Sequence, residues 1–508
     1  MALMAEGDPI TQQTAAAPLA SRLMVGGAWM VGTRWVLRLL GLVNVVVLAR
    51  LLAPSDFGIV AMAMAFVAIA DSIMNMGAES AIIQMGEKGR QYYNAAWTLR
   101  IAQNLGLAAV ISVLAFFAPA YYGDARVEAI LHVVALTIAL RAFENIGVTA
   151  LQQELRFSNT FWQQVISQAV AIVVTLSCAL AFRSYWALVF GSMARTGMTV
   201  ILSYTLFPYR PRLQFSGWRH IWSFSQWYLV NNLGKTLLMR GMSLTLGRVA
   251  GPGVLGVYSM AAELAGTAAF EIAMPISRVL YTGMVRLRDD MVRYRRAFLQ
   301  ALHGVSLITA PICFGLAAVS NELVRLALGE NWIQAIDIMK IMAFSGVLRI
   351  SSLIVTDQLV VLGQLRKNAI ISWAQALVVL ASAIPVYQHF GLVGVACVSV
   401  VLASVTLLYL TAMMSRTSGI SMRAQFASIA GPFVAGVGMA AIVLCLPMVM
   451  NAPNFLMLPA KVVLGAIVYS GFVLLFWNLA GRPDGLERKA LDKLAGFRGR
   501  LMDRLGRS

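Results

Sequence analysis

The residues of this chain with chemistry to offer are charges placed where charges are expensive. Arg34 and Arg38 lie four apart inside one apolar run, so they share a helical face. At 1.5 Å per residue, Arg38 lies roughly 20 Å along that helix, beyond easy snorkelling. A cation at mid-membrane costs from about 3 kcal/mol on insertion scales to well over about 10 kcal/mol on an isolated helix. Such residues persist where they face a wet cavity or a partner. Lys235 and Arg240 hold nearby positions on the corresponding later helix. Paired cations from the two helices would line one cavity and attract an anionic head group. An arginine fork matches phosphate oxygens bidentately, so the expected ligand is a phosphorylated or pyrophosphorylated lipid carrier.

Other cations inside apolar runs are Arg100, Arg141, Arg195, Arg278, Lys340 and Arg349. The acids there are Asp71, Glu79, Glu144, Glu263, Glu271, Asp337 and Asp357. Asp71 and Glu79 have the same spacing as Glu263 and Glu271, and each pair lies on the second helix of a half. They could balance the cations of an empty cavity, bind a coupling cation, or simply pair with arginines. Arg100, Lys340 and Asp337 are a turn or two from a span end and read as snorkelling or paired side chains. Asp289 and Asp290, beside Arg286 and Arg288, read as a solvated charge cluster. The chain has no phosphate loop of the Walker type, so it is not expected to hydrolyse ATP. Cys178, Cys313, Cys397 and Cys445 fall in apolar segments, and His132, His220, His303 and His389 are scattered. No metal site, disulfide framework or cofactor is expected, and no enzymatic activity.

The elements that must position these charges follow from composition. The chain has 508 residues, 59% hydrophobic and 12% charged, against roughly 25% charged in a soluble domain. Apolar runs near span length recur along almost the whole sequence, and no period-two pattern supports a barrel. The expected class is an all-α polytopic membrane protein of about 14 transmembrane helices. The division is a tail at 1–23, a six-helix bundle at 24–206, an amphipathic linker at 207–223, a second six-helix bundle at 224–415, extra helices 13 and 14 at 428–480, and a basic tail at 481–508.

With a cytoplasmic N-terminus, Lys and Arg favour the cytoplasmic side by roughly four to one, the positive-inside pattern. Arg50, Arg126, Arg183, Arg248, Arg325 and Lys461 fall on the opposite face. The bias accounts for much of the net charge of +18 without nucleic acid. In the tail, Leu491, Leu494, Phe497, Leu501 and Leu505 recur at helical spacing among Arg and Lys. That pattern predicts an amphipathic helix on anionic inner-leaflet lipids. Trp218, Trp222, Trp227 and Tyr228 predict an interfacial anchor.

A repeat organises the whole. LARLLAPSDFGIVAMA at 48–63 aligns without gaps to LGRVAGPGVLGVYSMA at 246–261, six spans later. Leu48, Arg50, Pro54, Gly58, Met62 and Ala63 match Leu246, Arg248, Pro252, Gly256, Met260 and Ala261. An even-numbered repeat keeps its orientation, so the two bundles are expected around an axis along the membrane normal, with a cavity between them and access alternating from side to side.

The stretch 26–63, with LARLLAPSDFG followed by a Met/Ala-rich helix, resembles the start of the polysaccharide transporter family. These are Wzx-type flippases, in particular the colanic acid exporter-like branch, of the multidrug/oligosaccharidyl-lipid/polysaccharide exporter superfamily. The resemblance implies a flippase of the bacterial inner membrane, with both termini cytoplasmic. It would move undecaprenyl-pyrophosphate-linked oligosaccharide to the periplasmic leaflet for exopolysaccharide or lipopolysaccharide synthesis, driven by an H+ or Na+ gradient. It further implies substrate contacts at Arg34, Arg38, Lys235, Arg240, Arg278 and Arg349, and a polysaccharide polymerase and chain-length regulator as partners. Alternatives are a peptidoglycan-precursor flippase or a drug/ion antiporter of the same superfamily. A membrane glycosyltransferase or polymerase fits less well, because the connections are short.

Overall fold

The computed structural model describes residues 19–74, 90–147, 158–207, 209–214, 218–449, 453–479 and 481. Within them the chain is helical, with no strand. The helices in order are α1 (Leu19–Leu51), α2 (Pro54–Met74), α3 (Arg90–Tyr122), α4 (Arg126–Arg141), α5 (Ser158–Phe182), α6 (Trp186–Thr205), α7 (218–250), α8 (252–287), α9 (Met291–Ala318), α10 (Ala335–Val361), α11 (365–390), α12 (392–418), α13 (Met422–Val449) and α14 (Asn454–Leu479). Short helical turns at 320–332 join α9 to α10.

Among the described residues, eight helices are long and apolar enough to cross a membrane, or nine if the bent run 232–287 counts as one. One of the eight, Arg366–Ser418, runs through both α11 and α12. The chain is a multi-pass helical membrane protein. Glu79, the tail helix after 481 and the side chains of the Trp218–Tyr228 anchor lie outside what is described.

Local chemistry sets the breaks. Pro54 takes the first position of α2, where its missing N–H leaves no donor unsatisfied. Asp56 reaches back to accept from the Ala53 N–H at 3.0 Å, half of a capping box. In the repeated segment Pro252 again opens a helix. Gly251 precedes it with φ 79°, a conformation that side chains resist, and this separates α7 from α8. Gly391 divides α11 from α12 in the same way, with φ 62°.

The chain forms two compact units. One comprises residues 1–52 and 66–233, the other 53–65 and 234–508. In the first, α1 packs on α5 through an edge contact of Trp29 and Phe161, with centroids 4.9 Å apart. Helix α6 presses Gly191 onto Thr175 of α5, where a β-carbon would meet the hydroxyl oxygen at 1.7 Å.

The second unit has one extended buried core. Tyr294, Phe298, Leu302 and Phe314 of α9 join Ile350 and Ile354 of α10, Leu407 and Leu410 of α12, Ile429 and Met439 of α13, and Tyr469 of α14. The last two helices therefore share the core of this unit. Gly436 of α13 admits the Phe314 ring, which a β-carbon would meet at 2.2 Å. Tyr469 donates its hydroxyl to the Leu307 carbonyl at 2.9 Å, as a buried phenol must find a partner.

Candidate functional site

Each unit holds its own charged constellation. In the first unit the charges form a chain of contacts across three helices. Asp71, near the end of α2, accepts from Arg141 at 3.4 Å. Arg141 Nε also donates to Asn104 of α3 at 3.2 Å. The Asn104 amide donates in turn to the Arg100 carbonyl at 2.9 Å. Arg100 pairs with Glu144, just beyond α4, and both side chains are largely buried. Trp97 donates its indole N–H to the Glu144 carbonyl at 3.1 Å. Asn94, Arg212 and Tyr209 extend the network, with the Tyr209 hydroxyl donating to Asn94 at 2.7 Å and the Arg212 N–H donating to the same oxygen at 3.0 Å. They gather the last turns of α2 and α4, and Glu144 just beyond α4, against the first half of α3.

Arg34 and Arg38 stand elsewhere, midway along α1. Arg34 is exposed, and the same helix also exposes Trp35, Leu39, Leu42 and Val43. Arg38 is half-buried. Arg195, on α6, is exposed.

In the second unit, Lys235 and Arg240 of α7 are exposed, as are Glu263 and Arg278 of α8. Glu271 is half-buried. Two contacts tie α8 to α10. The exposed Arg349 lays its guanidinium over the Phe270 ring, 5.3 Å from the centroid, a cation–π geometry. The Ser277 hydroxyl donates to the half-buried Asp357 carboxylate. Both contacts advance by about two turns along each helix, so α8 and α10 run parallel there, with Glu271 and Arg278 adjoining the contact residues. Spacing alone gives Asp357 no role, and the structure makes it the carboxylate bound to this face of α8.

The structure thus joins some expected residues and separates others. Asp71 is paired with Arg141. Arg349 reaches α8 at Phe270, eight residues before Arg278, so these two expected substrate residues are not brought together. Lys340 and Asp337 pair with each other at 3.0 Å, as their position near a span end implied. Among the described residues, no three of His, Cys, Asp and Glu converge to hold a metal.

One ion pair escaped the sequence reading. Lys461, which reads as a cation of the far face, lies inside α14 and is buried, 2.8 Å from the equally buried Glu322. A lysine within an apolar helix was the available signal. Its partner is 139 residues away, which no local spacing reveals.

Outside the membrane-length helices, Arg126 holds the Asp124 carboxyl below its ordinary range in the turn between α3 and α4, chiefly by a side-chain hydrogen bond.

Residues 47–337 match a family described as "Polysaccharide biosynthesis protein". The chain is 27% identical over 353 residues to the lipopolysaccharide biosynthesis protein WzxC of Escherichia coli K12, covering 65% of this chain and 68% of that one. It is 24% identical over 306 residues to the succinoglycan biosynthesis transport protein ExoT of Rhizobium meliloti, covering 60% and 62%. Its fold is similar to that of the lipid II flippase MurJ in an inward closed conformation, with TM-score 0.72 and 12% identity over 90% of this chain and 100% of that one.

Proposed function

The chain belongs to the polysaccharide biosynthesis protein family, and from that premise we propose that it flips a polyprenyl-pyrophosphate-linked oligosaccharide across the bacterial inner membrane. The observation that carries the reading is the exposure of cations on its helices. Arg34, Lys235, Arg240, Arg278 and Arg349 are all exposed from the protein's own packing. A cation turned to hydrocarbon would cost several kcal/mol, so such residues face water or an anion. The diphosphate of a lipid carrier is an anion with the oxygen geometry that arginine binds bidentately.

In this reading the cations hold the diphosphate in a cationic cavity while the prenyl tail stays in the bilayer. Access alternates between the two leaflets without nucleotide hydrolysis by this chain. Downhill movement of H+ or Na+ resets the empty carrier, and the acids Asp71, Glu79, Glu263 and Glu271 balance charge or take the ion. Polymerase and chain-length regulator would receive the product on the far side. The relatives named for lipopolysaccharide and succinoglycan synthesis support this substrate class over a drug.

Purified protein in liposomes loaded with a fluorescent diphosphate-linked oligosaccharide tests it. Transfer of the lipid to the opposite leaflet, faster than in protein-free liposomes and faster with an imposed ion gradient, is expected. Transfer of lipid II alone would move the substrate to peptidoglycan precursors. No transfer of either lipid would overturn the reading.

A further inference from the structure

The buried pair Glu322–Lys461 belongs to none of the charged constellations above. Helix α9 ends at Ala318, and the connection then makes a four-residue helix at Ser320–Leu323 and a π-turn at Val324–Leu328. Glu322 sits in this connection and is 3% exposed. Lys461 enters from the first half of α14 and is also 3% exposed. Its ammonium donates to Glu322 Oε1 at 2.8 Å and to the Ala318 carbonyl at 3.4 Å. That carbonyl is the last of α9, where the helix dipole presents partial negative charge. The second carboxylate oxygen, Glu322 Oε2, is buried and accepts no hydrogen bond among the described residues.

The same connection is tied in two more places. Arg325 donates from Nε to the Asn321 side chain at 3.1 Å and from Nη1 to Glu330 at 2.8 Å. Trp332, fully buried, meets the Phe57 ring edge-on at 5.2 Å. Phe57 lies at the start of α2, next to Gly58. The three ties differ in kind. Arg325–Glu330 is solvent-facing, and Trp332–Phe57 is apolar. Only Glu322–Lys461 is ionic and dry.

We propose that Glu322 and Lys461 form an internal charge lock, in which Lys461 of α14 is the positioning cation for the α9–α10 connection and, through Trp332, for the start of α2. The lock makes the last helix a working part of the second unit. Neither charge has water to fall back on, so each depends on the other. Removing one leaves a buried, uncompensated charge, which is strongly destabilising. Removing both leaves an apolar contact, which is often neutral.

Melting of the purified full chain and export of polymer, normalised to protein in the membrane, test this in Lys461→Met, Glu322→Leu and the double variant. Each single variant is expected to melt several degrees lower and to export less. The double variant is expected to return to near the wild-type melting point and to regain export. Singles that melt as wild type, or a double variant as damaged as the singles, would overturn the lock. A double variant that melts as wild type but exports nothing would overturn the positioning role. If the singles do not accumulate in the membrane, accumulation of the double at the wild-type level supports the lock, and its absence overturns it. Melting is read without substrate, so it tests the lock independently of the flippase reading, and only the export arm, for the positioning role, rests on that reading.

Discussion

Gly58 and Gly256 each face the other's helix start at a distance that admits no side chain. A β-carbon on Gly58 would lie 1.7 Å from the Pro252 carbonyl oxygen, and one on Gly256 would lie 1.8 Å from the Pro54 carbonyl oxygen. Proline and glycine at equivalent positions of the repeat thus meet crosswise, in the same unit. A reciprocal contact of this kind is what a two-fold relation generates, with residue i touching j and j touching i. The backbones approach closely enough for Cα–H to carbonyl contacts, which only a glycine pair allows.

Alanine at either glycine forces the two helix starts apart. Gly58→Ala and Gly256→Ala should each destabilise the protein by about 1–3 kcal/mol, the range for overpacking a close contact. Both probe one crossing, so the double variant should fall well short of the sum. Thermal melting of the three variants checks this. Unequal single effects that add fully would mean that the two contacts are independent.

Arg34 and Arg38 test the cavity. Replacing both with alanine removes two charges, one exposed and one half-buried. Export should fall by at least about tenfold, the equivalent of losing about 1.4 kcal/mol of charge-assisted contact. The amount of protein in the membrane should stay level. Lysine at both positions should restore part of the export, since it keeps the charge and loses the fork. Wild-type export by the double alanine variant would remove these residues from the substrate path.

The break at Pro54 and its repeat at Pro252 were readable because proline fixes its own φ and carries no N–H, whereas glycine only permits the positive φ that Gly251 and Gly391 adopt. Repeat alignment added the equivalence of Gly58 and Gly256 before their contact was known. The partners of the charges were not readable to the same degree. Arg100 read as snorkelling or paired, but its partner Glu144 was not identified by spacing. Lys461 read only as a cation of the far face, and neither its burial nor its partner Glu322 followed from spacing. The physical reason is that lipid and protein core are equally apolar. A helix such as α14 is apolar all round and does not mark which face packs inward, so the burial of Lys461 had no periodic signature. Asp357 is a similar case, since nothing in its own helix points to Ser277 on α8.

Breaking the Arg100–Glu144 pair should cost more than breaking Arg141–Asp71. The first pair has side chains 16% and 17% exposed, the second 48% and 39%. Glu144→Gln leaves a largely buried guanidinium without its carboxylate, for an expected loss of about 1–3 kcal/mol. Asp71→Asn acts on an exposed pair and should change stability by under about 1 kcal/mol. Denaturation of the two variants side by side checks the order. Export should follow a different ranking if Asp71 serves the transported ion, so both measurements belong together.

The turn between α3 and α4 gives a pH test outside the membrane-length helices. Arg126 lowers the folded-state Asp124 pKa, so Asp124 binds a proton less readily in the folded chain than in the unfolded one. Its contribution to stability is therefore present above the unfolded carboxylate range and is lost as pH falls through the lowered folded value. The Arg126 side chain is 45% exposed, so the contribution should stay under about 1 kcal/mol at neutral pH. Asp124→Asn should melt slightly below wild type at pH 7, and the gap should close as the pH falls into the acid range. Added salt should narrow the gap at pH 7, because the pair is partly solvated. A gap that stays constant across this pH range would trace the effect to the loop backbone, where Asp124 also accepts from the Arg126 N–H at 3.0 Å, and not to the charge.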